Sequence, residues 1–220
     1  MAESLMRFFR KENESASTQG PLTALSAERI ARHSTGFEAF SAHIAGSEGL
    51  TVLDLGPTSP RNIQYLTSLG HKLYNVDVLA GAADPTLSVP AEGGGSTLDV
   101  ERFLAENVNF RGRKFDAVLC WDVADYLQEI LVRPLVERIH GALNPGGVLL
   151  GFFHTRDAGP DAPYYRYHIT SASELELQPA RKRRLQRVFN NRHIENLFGE
   201  YRSLKFFLAR DFLREVLVVR

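Results

Sequence analysis

Thr51-Val52-Leu53-Asp54-Leu55-Gly56-Pro57-Thr58-Ser59-Pro60-Arg61-Asn62 is the stretch that decides the fold. An apolar run closes on an acid and a glycine. Ser59 then offers a helix cap and Pro60 a first-turn residue, so the stretch reads as strand, turn and helix. In outline this is a loop for a phosphate or a nucleoside cofactor. The glycines that normally follow such a first glycine are missing after Gly56, and Thr58 and Pro60 stand in their positions. Proline fixes φ near about −65° and has no N–H, which removes one loop donor; the hydroxyls of Thr58 and Ser59 are available instead.

Outward from this unit, the helix runs through Ile63, Tyr65, Leu66 and Leu69 to a stop at Gly70. Residues 72–78 then alternate toward a second acid, Asp77, as the second strand of a parallel β-α-β unit, and Asp77 lies 77 − 54 = 23 positions after Asp54. Residues 80–96, rich in Ala, Gly, Pro and Ser, read as a long irregular excursion, either a mobile lid or a plain surface loop. A short helix is expected over 98–107 and a buried strand over 115–121. A helix over 127–143, stopped by Asn144-Pro145-Gly146-Gly147, precedes another buried strand over 148–153. Beyond it, 164–177 reads as extended, 187–198 has helical spacing, and 204–209 with 213–219 forms an antiparallel hairpin. The alternation predicts an α/β protein with a parallel sheet and helices on both faces. Upstream, the polar residues 11–21 predict a flexible N-terminal segment over 1–21, and helical spacing over 22–44 predicts a helical preface to a single domain spanning 22–220.

The 220 residues are 44% hydrophobic and 24% charged with a formal net charge of +0, which allows a sizeable core and gives no general attraction to nucleic acid or an anionic membrane. Cys120 is the single cysteine, so no intrachain disulfide forms, and no cysteine–histidine metal cluster is in view. No window reaches the roughly 18 apolar residues of a membrane span. A cytoplasmic protein without metal or membrane contact is expected.

Four landmarks stand in order: Val52-Leu53-Asp54-Leu55-Gly56, Asp77 closing a second strand, Phe115-Asp116-Ala117-Val118-Leu119-Cys120, and Leu143-Asn144-Pro145-Gly146-Gly147-Val148-Leu149-Leu150. Together with the terminal hairpin they resemble a class I S-adenosylmethionine-dependent methyltransferase over about residues 50–220. The resemblance implies a Rossmann-like methyltransferase fold, a seven-stranded mostly parallel sheet with an antiparallel strand from the C-terminal hairpin. It implies S-adenosylmethionine as cofactor, lying across the carboxyl ends of the first, second and fourth strands at the topological switch point. On matching positions, Asp54 and Gly56 would be the acid and first glycine beside the methionine half, with Thr58 and Ser59 as hydroxyl donors. Asp77 would take the ribose hydroxyls. Asn107, beside Glu106 and in competition with Asp99, would recognise adenine, and Trp121 would line the cofactor.

Two side chains are candidates for the chemistry. Asp122, with Asp125 and Tyr126, offers an acid and hydroxyl cluster or else caps the next helix. His154, in Phe153-His154-Thr155-Arg156, stands where a general base reaches a bound nucleophile or else is a hydrogen-bonded strand end. Pro163-Tyr164-Tyr165-Arg166-Tyr167-His168 reads as a half-buried strand, with stacking on an aromatic substrate as the alternative. Arg181-Lys182-Arg183-Arg184 with Arg187 reads as solvated surface, with phosphate contact as the alternative. The implied activity is methyl transfer from S-adenosylmethionine to an unidentified acceptor, a small molecule or a protein rather than nucleic acid. The alternative is a catalytically inactive methyltransferase-like scaffold or dimerisation protein, and a homodimer is compatible with both. A nicotinamide dehydrogenase is disfavoured because the glycine spacing that a pyrophosphate requires is absent.

Overall fold

A computed structural model describes residues 29–57, 59–91, 93–157, 164–180, 183–209 and 211–220. In chain order the elements are β1 (Ile30–His33), α1 (Thr35–Ala45), β2 (Thr51–Asp54), α2 (Pro60–Ser68), β3 (Lys72–Asn75), α3 (Val78–Gly81), β4 (Ser88–Pro90), β5 (Ser96–Leu98) and α4 (Val100–Asn107). They continue with β6 (Phe115–Trp121), α5 (Val123–Tyr126), α6 (Glu129–Ala142), β7 (Leu143–His154), β8 (Tyr165–Ile169), β9 (Glu174–Pro179), α7 (Asn191–Leu197), β10 (Ser203–Phe207) and β11 (Leu213–Val219).

The main sheet has the order β10-β11-β7-β6-β2-β3. β2 pairs in parallel with β3 and β6, and β6 with β7, while β11 is antiparallel to β7 and β10. Successive side chains of a strand face opposite ways, and here both faces are buried. Val52, Leu119, Leu150 and Phe152 pack under α1 and α2 with Phe37, Phe40 and Leu66. Leu53, Val118, Leu149 and Phe153 pack on the other side against α3 to α7. The near-continuous apolar runs of these strands follow from this two-sided burial.

Three expectations need correction. Six strands, rather than seven, make up the main sheet among the described residues. The stretch that would supply the missing strand folds as α3, a short 3-10 turn at Pro85–Leu87 and the β4–β5 hairpin. Gly93, Gly94 and Gly95, with φ of +97°, +97° and +85°, form a turn that cannot continue a strand. The helical preface over 22–44 contains the helix α1, with Ser34 Oγ accepting the Phe37 N–H at 3.0 Å as the cap, but Ile30–His33 is the strand β1, and residues 22–28 lie with the N-terminal segment 1–21 outside the described residues. Finally, α6 ends at Ala142 and β7 begins at Leu143, because Asn144-Pro145-Gly146-Gly147 belongs to the strand as an irregularity in its pairing with β6. Gly146 has φ +78° and donates its N–H to the Arg220 carbonyl at 2.8 Å, tying this stretch to the end of the chain.

The extended reading of 164–177 resolves into β8 and most of β9, which with β1 form a second, antiparallel sheet of order β1-β9-β8. Tyr167, Ile169, Leu175 and Leu177 of this sheet join the core under α1 and α2. No helix among the described residues is long and apolar enough to cross a membrane.

Candidate functional site

The carboxyl ends of β2, β3, β6 and β7 converge on one rim of the sheet, and the acids singled out from the sequence sit there. Asp54, 1% exposed, closes β2. Its Oδ1 accepts Trp121 Nε1–H at 2.7 Å and the Gly56 N–H at 3.3 Å, and its Oδ2 accepts Asn62 Nδ2–H at 3.2 Å. Burial pushes the Asp54 carboxyl up to about 6, against the pull of those donors. The acid therefore holds the loop together from within.

The rest of the loop docks the second sheet. Ser59 caps α2 by accepting the Asn62 N–H, and its Oγ lies 2.8 Å from His168 Nδ1 on β8. Asn62 donates to the Tyr167 carbonyl at 3.2 Å and accepts the Ile169 N–H at 2.8 Å. One side chain thus imitates a neighbouring strand along the free edge of β8, whose ladder partner on the other side is β9. Ser59 and Asn62, on either side of the helix-starting Pro60, carry this docking. A Cβ on Gly56 would meet Trp121 Cδ1 at 3.0 Å, so the indole covers the glycine closely. Thr58 lies outside the described residues.

On β3 the picture is more open. Asp77, just past the strand, caps α3 by accepting the Ala80 N–H at 2.9 Å and is partly exposed. Asn107 closes α4 and donates to the Phe103 carbonyl at 3.2 Å. It packs on Gly81, where a Cβ would come within 2.1 Å of its Oδ1, so it joins α4 to α3 behind Asp77. Asp99 caps α4 through the Arg102 N–H.

At the end of β6, Trp121 takes φ +48°, and its ring stacks on Tyr167 with centroids 4.9 Å apart and planes 2° from parallel. Asp122, 1% exposed, makes no side-chain capping bond to α5; its Oδ2 accepts the Tyr167 hydroxyl at 3.0 Å. Burial pushes its carboxyl up to about 7, although His154 pulls the other way. Asp125, also buried, accepts both the His154 backbone N–H at 2.5 Å and Nδ1 at 2.8 Å with one oxygen, Oδ2. Burial, the largest single influence, draws the His154 imidazolium down, but the bond to Asp125 together with the charges of Asp125, Asp122 and Asp211 makes the net shift upward. Asp122 and His154 are thus brought into one cluster with Asp125, which the sequence groups with Asp122, and with Tyr167, which the sequence reads as part of a half-buried strand. Asn62 was missed. Its only sequence signal is a polar residue in the first turn of a helix.

Residues 2–202 match the family described as "Methyltransferase domain". The chain belongs to that family. Similar solved structures include the Burkholderia thailandensis 1,6-didemethyltoxoflavin-N1-methyltransferase, which carries 1,6-didemethyltoxoflavin and S-adenosylhomocysteine; identity is 16% over 84% of this chain and 78% of that one, with a TM-score of 0.45. The CcbJ methyltransferase of Streptomyces caelestis is 14% identical over 83% of this chain and 94% of its own, with a TM-score of 0.48. A Methanosarcina mazei SAM-dependent methyltransferase is 14% identical over 79% and 93%, with a TM-score of 0.49. No curated protein matches the chain. In this methyltransferase domain, then, the rim of the sheet bears a row of acids, one histidine and an aromatic stack.

Proposed function

We propose that this methyltransferase domain transfers a methyl group from S-adenosylmethionine to a small-molecule acceptor, with His154 as the general base. The observation that carries the reading is the Asp125–His154 pair at the end of β7, beside Asp122 at the end of β6. Asp125 Oδ2 accepts the Nδ1 proton, which assigns the tautomer and leaves Nε2 with the lone pair for a ligand proton.

The donor set suits the cofactor in its chemistry. S-adenosylmethionine has a sulfonium, an ammonium and a ribose diol, and when bound it supplies an electrophilic methyl group. Asp122 is a buried acid with a raised carboxyl, which a positive centre would return to its ionised form. Asp77 stands at the end of β3, where a carboxylate would accept from ribose hydroxyls. Asp54 is turned inward in this arrangement: it is 1% exposed and both its oxygens accept from the protein. We assign it to the loop, together with Ser59, and give Asn107 the role of positioning α3.

A second reading, a scaffold without catalysis, is favoured by one observation: Trp121 covers Gly56, where the cofactor would otherwise approach the backbone. Calorimetric titration with S-adenosylmethionine and S-adenosylhomocysteine separates the two. Methyl transfer requires binding of both, weakened at least tenfold by Asp77→Ala. No binding of either overturns the enzyme reading and leaves the scaffold.

A further inference from the structure

A cavity of about 690 Å³ opens beside His154, between the second sheet and the ends of β7 and β11. That volume is in the range that holds a drug-sized ligand. Its walls are mostly apolar, from Ile30 and Ala31 on β1, Tyr165 on β8, Leu177 on β9, and Phe212 and Leu213 at the start of β11. The charged residues in the lining balance, with Arg32 and Arg156 against Asp157 and Asp211. They are also committed to the protein. Arg32 is 6% exposed and holds Asp211 at 2.6 Å and Glu215 at 2.5 Å. Glu215 in turn accepts the Gly36 N–H at 2.5 Å. The Arg156 guanidinium carbon lies over the Phe212 ring, 3.3 Å from its centroid. A charged ligand would lose its hydration here without gaining a matched partner, whereas a neutral apolar one loses little.

We infer that this cavity is the acceptor site, and that it takes a neutral aromatic molecule with one phenol-class hydroxyl directed at His154 Nε2. The inference rests on the methyl-transfer reading above. The acceptor class follows from the base. An imidazole is matched to a phenolic proton and poorly matched to that of an aliphatic alcohol, while a carboxylate acceptor needs no base. In the transfer, the O–H bond breaks and its proton passes to Nε2. The oxygen pair forms the bond to the methyl carbon, whose former bonding electrons stay on sulfur, and the proton leaves His154 through the cavity mouth. Arg32, bound to Glu215 and Asp211, ties β1 to β11 and holds the two walls together.

The test uses the full chain at about pH 8, with the fluorescence of a naphthol and of the naphthoate of the same ring size as probes. The naphthol is expected to bind at least tenfold more tightly than the naphthoate. Ala31→Trp, at an exposed β1 position on the cavity wall, is expected to weaken naphthol at least tenfold. Naphthoate binding as tight as naphthol, no binding of naphthol, or full affinity in the Ala31→Trp variant would each overturn the assignment. A parallel titration with S-adenosylhomocysteine keeps the two proposals apart. Binding of the nucleoside without naphthol sinks the cavity assignment, whereas binding of naphthol without the nucleoside sinks methyl transfer and leaves a phenol site.

Discussion

Replacing Asn62 by Ala tests the claim that the first turn of α2 docks β8. Asn62 is 1% exposed, and three side-chain bonds are lost: to Asp54 at 3.2 Å, to the Tyr167 carbonyl at 3.2 Å and from the Ile169 N–H at 2.8 Å. Tyr167 and Ile169 are themselves 3% and 2% exposed, so their backbone groups are left buried without partners. At about 1–3 kcal/mol per orphaned group, the loss is on the order of 3–5 kcal/mol. A urea m-value near about 3 kcal/mol/M turns that into a midpoint shift of about 1–2 M. Asn62→Asp sharpens the test, since it places a second carboxylate oxygen against Asp54 and the Tyr167 carbonyl. Two facing carboxylates cannot both ionise, and the Asp54 carboxyl already stands at about 6. The Asp variant is therefore expected to be less stable than the Ala variant at about pH 8 and to close the gap at about pH 5. A loss under about 1 kcal/mol for Asn62→Ala, or an Asp variant that tracks the Ala variant at both pH values, would refute the docking argument.

Three further predictions follow from the same rim. Asp125→Asn removes the carboxylate that does most to offset burial at His154, so the His154 pKa, raised in the parent, should fall; histidine NMR titration reads it, and an unmoved value refutes the pairing. For stability against pH, Asp122 is an acid raised in the folded state from 3.8 to about 7, so the native state binds more protons than the unfolded one between those values. Its contribution is complete below about pH 4 and is lost as pH rises through about 7, an effect on the order of 3–4 kcal/mol; urea midpoints at about pH 5 and 8 should differ less in Asp122→Asn than in the parent. Arg32→Met leaves Glu215 buried without its cation and should cost about 3–5 kcal/mol, with Glu215→Gln in the same chain restoring part of it. Thermal melts that show no loss for the single variant would count against a buried tie between β1 and β11.

The main sheet is legible in the sequence because its signals are local. The runs around Val52, Val118 and Leu149 are apolar on both faces, as parallel strands between two helix layers must be, and Ser59-Pro60 starts its helix as read. What could not be read depends on distant partners. The strand at Ile30–His33 has the exposed residues Ile30, Ala31 and His33 around one buried arginine, and only pairing with Glu174–Leu177 defines it. Asp54 and Trp121 close β2 and β6, but a sequence does not disclose that their side chains bond to each other. Asp77 and Asp99 show the same limit, since both turn out to cap helices whose first turns carry no signal beyond the acid itself.

The altered loop and the added sheet form one arrangement, and Trp121 shows why. A non-glycine residue in the left-handed region costs on the order of 1–3 kcal/mol and persists only where its surroundings hold it there. Here a bond to a buried carboxylate contributes about 1.5–3 kcal/mol if Asp54 is ionised, and the parallel stack on Tyr167 about 0.5–1.5 kcal/mol. The stack depends on β8 staying docked, and Asn62, bonded to Asp54 and to β8 together, links the two supports. Tyr167 also bonds to Asp122, so the position of the second sheet sets the surroundings of the acid beside the proposed base. Ser59 and Asn62 supply the loop's side-chain contacts to that sheet. Through these contacts the first turn of α2 holds a sheet that walls the cavity on one side and orders the acid cluster on the other.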